Sequence, residues 1–235
     1  MTDEVKKELE QYINSEKAKY YPKFFKAFEG GYGEGDKFIG VTVPNQRKVA
    51  KKFYKELSLK EIESLLKEEI HEYRLTSLFI LTYMYEKTKD DNLREEIVNL
   101  YLKNTRYINN WDLVDLTAYK ILGDYLINKD KDILYRLSES NNLWEQRISI
   151  IATYAFIRIN EFGDTLKISE KLLLHEHHLI HKAVGWMLRE IGKRDYETEY
   201  NFLKKHYKKM PRTILRYSIE KFNGKVRQDF LKGRV

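Results

Sequence analysis

The chain has no cysteine among its 235 residues. Neither a disulfide framework nor a thiolate metal site can be built from it, and a reducing cytoplasm is the compartment this composition suits. Long apolar runs are missing too. No stretch approaches the roughly 20 residues of a membrane-spanning helix, and the N-terminal MTDEVKKELEQYINSEK is charged throughout, without the apolar core of a secretion signal. Proline (3) and glycine (11) are scarce, so few residues interrupt regular structure. No run alternates polar and apolar as a half-buried strand does.

What is there is helical. Apolar residues recur at i, i+3, i+4 and i+7, and polar or breaker positions fall about every 15 to 20 residues, which predicts about a dozen amphipathic helices. The breaks include Pro22, the loop GGYGEGD (30–36), Pro44, Ser58, Asn109 and Asn110, Asn141 and Asn142, Gly163, Asp195 and Pro211. Several helices open alike. EYRLTSLFIL, NNWDLVDLTA, WEQRISIIAT and IHKAVGWMLR align with Arg74, Trp111, Arg147 and Lys182 in equivalent places, and PRTILRYSIEKF follows less regularly. A period near 36 residues with two helices per unit is in the range of HEAT-like repeats. The expectation is one all-α domain over 1–235, a helical-repeat solenoid whose equivalent positions line a concave basic groove.

Charge is unevenly placed. From Leu203 to Val235 there are 11 Lys and Arg against 2 Asp and Glu, so the remainder is slightly acidic and the basic excess is C-terminal. With 14% aromatic residues, a polyanion that offers stacking surfaces is one natural partner. A merely solvated basic surface explains the composition equally well. Phosphate contacts are expected from Lys204, Lys205, Lys208, Lys209, Arg212 and Arg216.

Leu179–Lys193 carries two stripes. Ile180, Val184, Met187 and Ile191 should face the core, while Lys182, Trp186, Arg189 and Lys193 lie roughly 160° away at 100° per residue. Trp186 therefore keeps company with three cations. Asp115 is the converse, an acid whose helical neighbours would be Trp111, Ala118, Tyr119 and Leu122. A structural carboxylate with a buried partner is the simpler explanation of it. Arg147 and Lys182 at equivalent repeat positions favour a functional one, because a carboxylate beside an aromatic wall and phosphate-binding cations suits positive charge developing on a sugar. Asp112 reads as an ordinary first-turn acid. GGYGEGD follows a helix and lacks the Lys-Ser/Thr ending of a phosphate loop, so it reads as a flexible loop. His175, His177, His178 and His181 suggest a metal cluster, but no HExxH pattern or carboxylate accompanies them, which leaves histidines at a helix start.

Four segments, FIGVTVPNQRKVAK (38–51), NNWDLVD (109–115), NLWEQRISII (142–151) and HKAVGWMLREIGK (181–193), together resemble the AlkD family of DNA alkylation-repair proteins, HEAT-like repeat glycosylases that excise positively charged N3- or N7-alkylpurines. The resemblance implies that Asp115 is the catalytic carboxylate, that Trp111 and Trp186 are aromatic walls against the lesion nucleotide, and that Arg147 contacts a phosphate. Further DNA contacts are expected from Arg47, Lys48 and Lys51, and from the basic stripe of Lys182, Arg189 and Lys193. The partner would be duplex DNA carrying alkylated purines, met by a monomer in the cytoplasm or on the nucleoid, with no metal or cofactor. Asn110 stands where the best-known members place another tryptophan, and the GGYGEGD loop is longer than theirs. Relatives that bind damaged or branched DNA without excising bases make a non-catalytic DNA-binding protein the alternative.

Overall fold

A computed structural model describes all residues 1–235. It has fifteen α-helices and no strand, with one isolated bridge between Lys37 and Ile70. The chain forms two compact units, Met1–Tyr125 and Leu126–Val235.

The first unit holds α1 (Thr2–Glu10), α2 (Ser15–Phe24), α3 (Val43–Phe53), α4 (Leu59–Leu66), α5 (His71–Lys87), α6 (Asp91–Lys103) and α7 (Trp111–Asp115). Helix starts are set by side chains accepting backbone N–H groups that the helix itself leaves unpaired: Asn14 for α2, Asp90 for α6, and a reciprocal Ser58/Glu61 box for α4. The hub is α5. It packs against α3, α4, α6 and α7, and its Leu75, Leu78, Phe79, Ile80 and Leu81 are buried on every side. A helix apolar all round has to be covered all round, and the others of this unit do that.

The second unit holds α8 (Asp132–Ser138), α9 (Leu143–Ala152), α10 (Tyr154–Ile157), α11 (Gly163–Lys171), α12 (His178–Gly192), α13 (Tyr196–His206), α14 (Arg212–Ser218) and α15 (Gly224–Leu231). Its hub is α12, whose Ile180, Val184, Met187 and Ile191 are fully buried, the stripe that the sequence assigns to the core. Gly185 lets α14 approach closely: a Cβ there would lie 2.5 Å from Tyr217 Cβ and 2.8 Å from the Ile214 carbonyl oxygen.

The repeat register holds. The pairs α4/α5, α6/α7, α8/α9, α11/α12 and α13/α14 follow one another, and Arg74, Trp111, Arg147 and Lys182 each sit in the first turns of a second helix. One expectation fails. Residues 111–122 do not form a single helix: α7 stops at Asp115, a turn follows, and Tyr119–Gly123 winds with the wider π spacing. Thr117 explains the break. Its hydroxyl donates to the Leu113 carbonyl (2.5 Å), the acceptor its own amide would use in a helix, and that amide turns to Val114 (3.2 Å). Asp115 is thus the last residue of a five-residue helix, not the middle of a long apolar face.

Candidate functional site

In the first unit, α7 is held by a buried chain of charges. His71, the first residue of α5, meets Asp112 through Nε2 (2.9 Å) and Asp36 through Nδ1 (2.9 Å). Asp36 in turn accepts from Arg74 (2.6 Å) and from the Asn110 amide (3.3 Å). Arg74 also donates to the Glu68 and Glu69 carbonyls and to Asn109. Burial alone would lower the His71 pKa, but the two facing carboxylates more than reverse that and push it up to about 9. The ring is therefore a cation at neutral pH, and both of its N–H groups donate. Burial acts the other way on Asp36, and His71 and Arg74 together outweigh it and hold the carboxyl below its ordinary value. Two cations between two carboxylates leave the buried cluster neutral, which is the condition for tolerating it.

This arrangement corrects two expectations. Asp112 does stand in a first turn and accepts the Leu113 N–H, but its second oxygen is a ligand of the buried imidazolium. GGYGEGD is an anchored turn: it delivers Asp36 to the cluster, and its Gly33 lies so close to the site that a Cβ would sit 2.4 Å from the Phe25 carbonyl oxygen and 2.9 Å from the Asn110 amide nitrogen. Just beyond it, the buried Glu72 accepts the N–H groups of Ile39 and Gly40, and burial raises its pKa. Sequence reasoning missed Asp36, His71 and Glu72. The one signal was a His-Glu pair opening an otherwise apolar helix.

Asn110, fully buried, accepts the Trp111 N–H at the start of α7. Trp111 and Asp115 occupy the two ends of this helix, four residues apart and so on one side, and both are half-buried. The Trp111 ring stacks on Phe25 (5.5 Å) and meets the edge of Phe24 (5.8 Å); Phe25 also stacks on Phe38 (5.2 Å) and covers His71 (4.8 Å). Asp115 lies near enough to the buried Tyr101 hydroxyl that its charge adds to burial in raising that group's pKa. The unit therefore fixes an indole wall and a carboxylate side by side at a partly open surface.

In the second unit, Trp186 lies on the side of α12 that carries the basic stripe, but it is half-buried rather than exposed. Its Nε1 donates to the buried Glu190 (3.0 Å), which also takes Lys193 (2.6 Å), and Tyr154 lies beside the ring (6.1 Å). Arg189 is paired with Glu220. Lys182 is half-exposed. Arg147 is buried and donates to the Leu179 carbonyl at the start of α12, just as its repeat equivalent Arg74 ties the start of α5. The histidines knit the turn before α12. Nδ1 of His177 accepts the Leu179 N–H, His175 bonds Gln146 (2.8 Å), and His181 bonds the His175 carbonyl. Burial lowers the pKa of both His175 and His177, the latter to about 4. They are neutral at pH 7, with ring nitrogens engaged in the protein.

The other basic candidates are at the surface. Lys204, Lys205, Lys208, Lys209, Arg212 and Arg216 are exposed, Lys205 within reach of Glu170 (3.2 Å) and Arg212 of the Leu231 carbonyl (3.0 Å). In the first unit the Arg47 guanidinium covers Phe79 (4.0 Å), and the exposed Lys48 and Lys51 lie over Tyr12 and Tyr83. No helix is long and apolar enough to cross a membrane.

The family model described as DNA alkylation repair enzyme matches residues 5–222. A solved structure from Enterococcus faecalis, titled a predicted DNA alkylation repair enzyme, superposes with a TM-score of 0.70 at 18% identity, over 90% of this chain and 97% of that one. No curated protein matches the sequence. With residues 5–222 inside the family model and the same all-helical fold in that neighbour, the chain belongs to the DNA alkylation repair enzyme family.

Proposed function

We propose that the protein is a monofunctional DNA glycosylase that hydrolyses the N-glycosidic bond of N3- and N7-alkylated purines in duplex DNA. The observation that carries this reading is the pairing of Trp111 and Asp115 on one side of a five-residue helix, half-buried and braced from behind by the Asp112–His71–Asp36 chain. An alkylated purine already bears positive charge, so it leaves with the bond's electron pair as a neutral base and needs no general acid. Charge then develops on the deoxyribose. Asp115 opposes it and orients a water whose oxygen bonds the anomeric carbon as its proton is given up, leaving an abasic site. Trp111 supplies an aromatic face that favours a cationic sugar.

In this reading the DNA backbone is met by Lys182, Lys193 and Arg189 on α12, by Lys204, Lys205, Lys208, Arg212 and Arg216 further on, and by Arg47, Lys48 and Lys51 on α3. Arg147 serves by holding the start of α12 and by adding its charge to that surface. The protein acts as a monomer in the cytoplasm or on the nucleoid. The test is release of 7-methylguanine and 3-methyladenine from methylated duplex DNA by the wild type and by Asp115→Asn. Release by the wild type alone, with DNA binding kept by both, is the expected result. No release by either, with binding intact, refutes the glycosylase reading and favours a non-catalytic binder of damaged or branched DNA.

A further inference from the structure

The segment from Lys17 to Phe28 is unlike the rest of the surface. It exposes Tyr20 (56%), Phe24 (44%) and Phe28 (51%), three of the four large aromatic side chains that the whole chain leaves open to solvent. Four lysines accompany them, Lys17, Lys19, Lys23 and Lys26; all are exposed and none forms an ion pair, and the first three, unlike most other lysines of this unit, find neither a carboxylate nor a ring. No residue of α2 is fully buried. Its inner side is pinned by Tyr21 and Phe25 against Phe38 (5.9 and 5.2 Å). After α2 the backbone turns through a left-handed Lys26 (φ 53°), a conformation that disfavours a side-chain-bearing residue, and this turn carries Phe28 outward with the Lys26 ammonium over its ring (5.6 Å).

Unpaired cations interleaved with open aromatic faces complement a polyanion that also offers flat rings. Within an intact duplex the faces of the bases are already stacked on one another. An open ring on the protein finds a free partner where a base has left the stack, and reaches a stacked one only by forcing a base step apart. The segment is also continuous with the site, because Phe24 packs against Trp111 in a T-shaped contact (5.8 Å) and against Tyr20 in a tilted one (5.8 Å). We infer that Lys17–Phe28 is a binding surface for an unstacked nucleotide of the DNA on which the protein acts, with Tyr20 and Phe28 stacking on its base and Lys19 and Lys23 on the flanking phosphates. The inference takes DNA as the partner from the function proposed above but does not require excision.

It is tested by fluorescence anisotropy with two labelled DNAs of one sequence, a fully paired duplex and the same duplex carrying unpaired nucleotides. Wild type should bind the second about tenfold or more tightly, since stacking a base on an aromatic side chain is worth that much. Tyr20→Ala/Phe28→Ala should lose this preference and keep the affinity for paired duplex, and its melting temperature should be unchanged because both rings are exposed. Lys19→Glu/Lys23→Glu should weaken both complexes alike and flatten their salt dependence. Equal affinity of wild type and the aromatic double variant for the unpaired DNA overturns the inference. So does binding of wild type to vesicles of anionic lipid without any preference for unpaired DNA, which would make the segment a membrane-surface helix. Because the readout is binding, loss of excision in a separate assay leaves the result interpretable.

Discussion

His71→Gln should make the stability of the first unit respond differently to pH. In the wild type the imidazolium is clamped between Asp36 and Asp112 and its pKa stands at about 9, against 6.5 for the unperturbed group. At 1.36 kcal/mol for each pKa unit, that difference corresponds to about 3 kcal/mol of stability. A base whose folded pKa is raised contributes fully below its unfolded value and loses the contribution as pH climbs through the folded one. The stabilisation is therefore complete below about pH 6.5 and gone above about pH 9. Glutamine can stand in for one of the two ring N–H donors but brings no charge, so Asp112 is left without its cation and Asp36 with Arg74 alone. Removing one partner of a buried pair costs about 3 to 5 kcal/mol. Urea unfolding of both proteins at pH 6 and pH 10, followed by circular dichroism, should give a gap about 3 kcal/mol wider at the lower pH. Asp36 does not confuse the comparison, because its depressed pKa acts only at the acid end of the scale. A gap of equal size at the two pH values would refute the protonated clamp.

Asp115→Asn should abolish release of alkylpurines while retaining DNA affinity, read by base release and anisotropy on the same preparation. Glu190→Ala frees the Trp186 indole from its acceptor and should lower excision about tenfold, the scale of a misplaced contact worth about 1.4 kcal/mol; unchanged excision would show that Trp186 needs no support from Glu190. Gly185→Ala forces a methyl group against Tyr217 and the Ile214 carbonyl, and overpacking of that kind costs about 1 to 3 kcal/mol. Its melting temperature should fall by several degrees, and an unchanged value would mean that α12 and α14 can part without cost.

How much of this was legible in the sequence depends on the distance between partners. The inner stripe of α12 follows from residues three and four apart and stands in the structure, whereas the half-burial of Trp186 opposite it depends on Tyr154, which belongs to another helix. The repeat register could be read from positions about 36 residues apart, because each unit repeats the same local solution. The Asp36–His71–Asp112 chain could not. Its members are 35 and 41 residues apart, none belongs to a local motif, and Asp112 alone has the position of an ordinary helix-start acid. The early end of α7 was equally hidden. Only knowledge that the Thr117 hydroxyl takes the Leu113 carbonyl separates this segment from an apolar helix of ordinary length.

The shortness of α7 also bears on when the site comes into being. Five residues are far below the length at which a helix persists by itself in water, where about 12 to 15 are needed even for favourable sequences. Trp111 and Asp115 thus share no fixed geometry until α5 and the Asp36 turn have arrived, the Asn110–Asp36 bond alone closing a span of 74 residues. Assembly of this segment should therefore follow the slow closure of long loops rather than accompany the rapid growth of local helices. Amides of residues 111–115 should accordingly open and exchange together with those of the turn at 30–40, as one cooperative piece, and any change that loosens the turn will loosen the carboxylate with it.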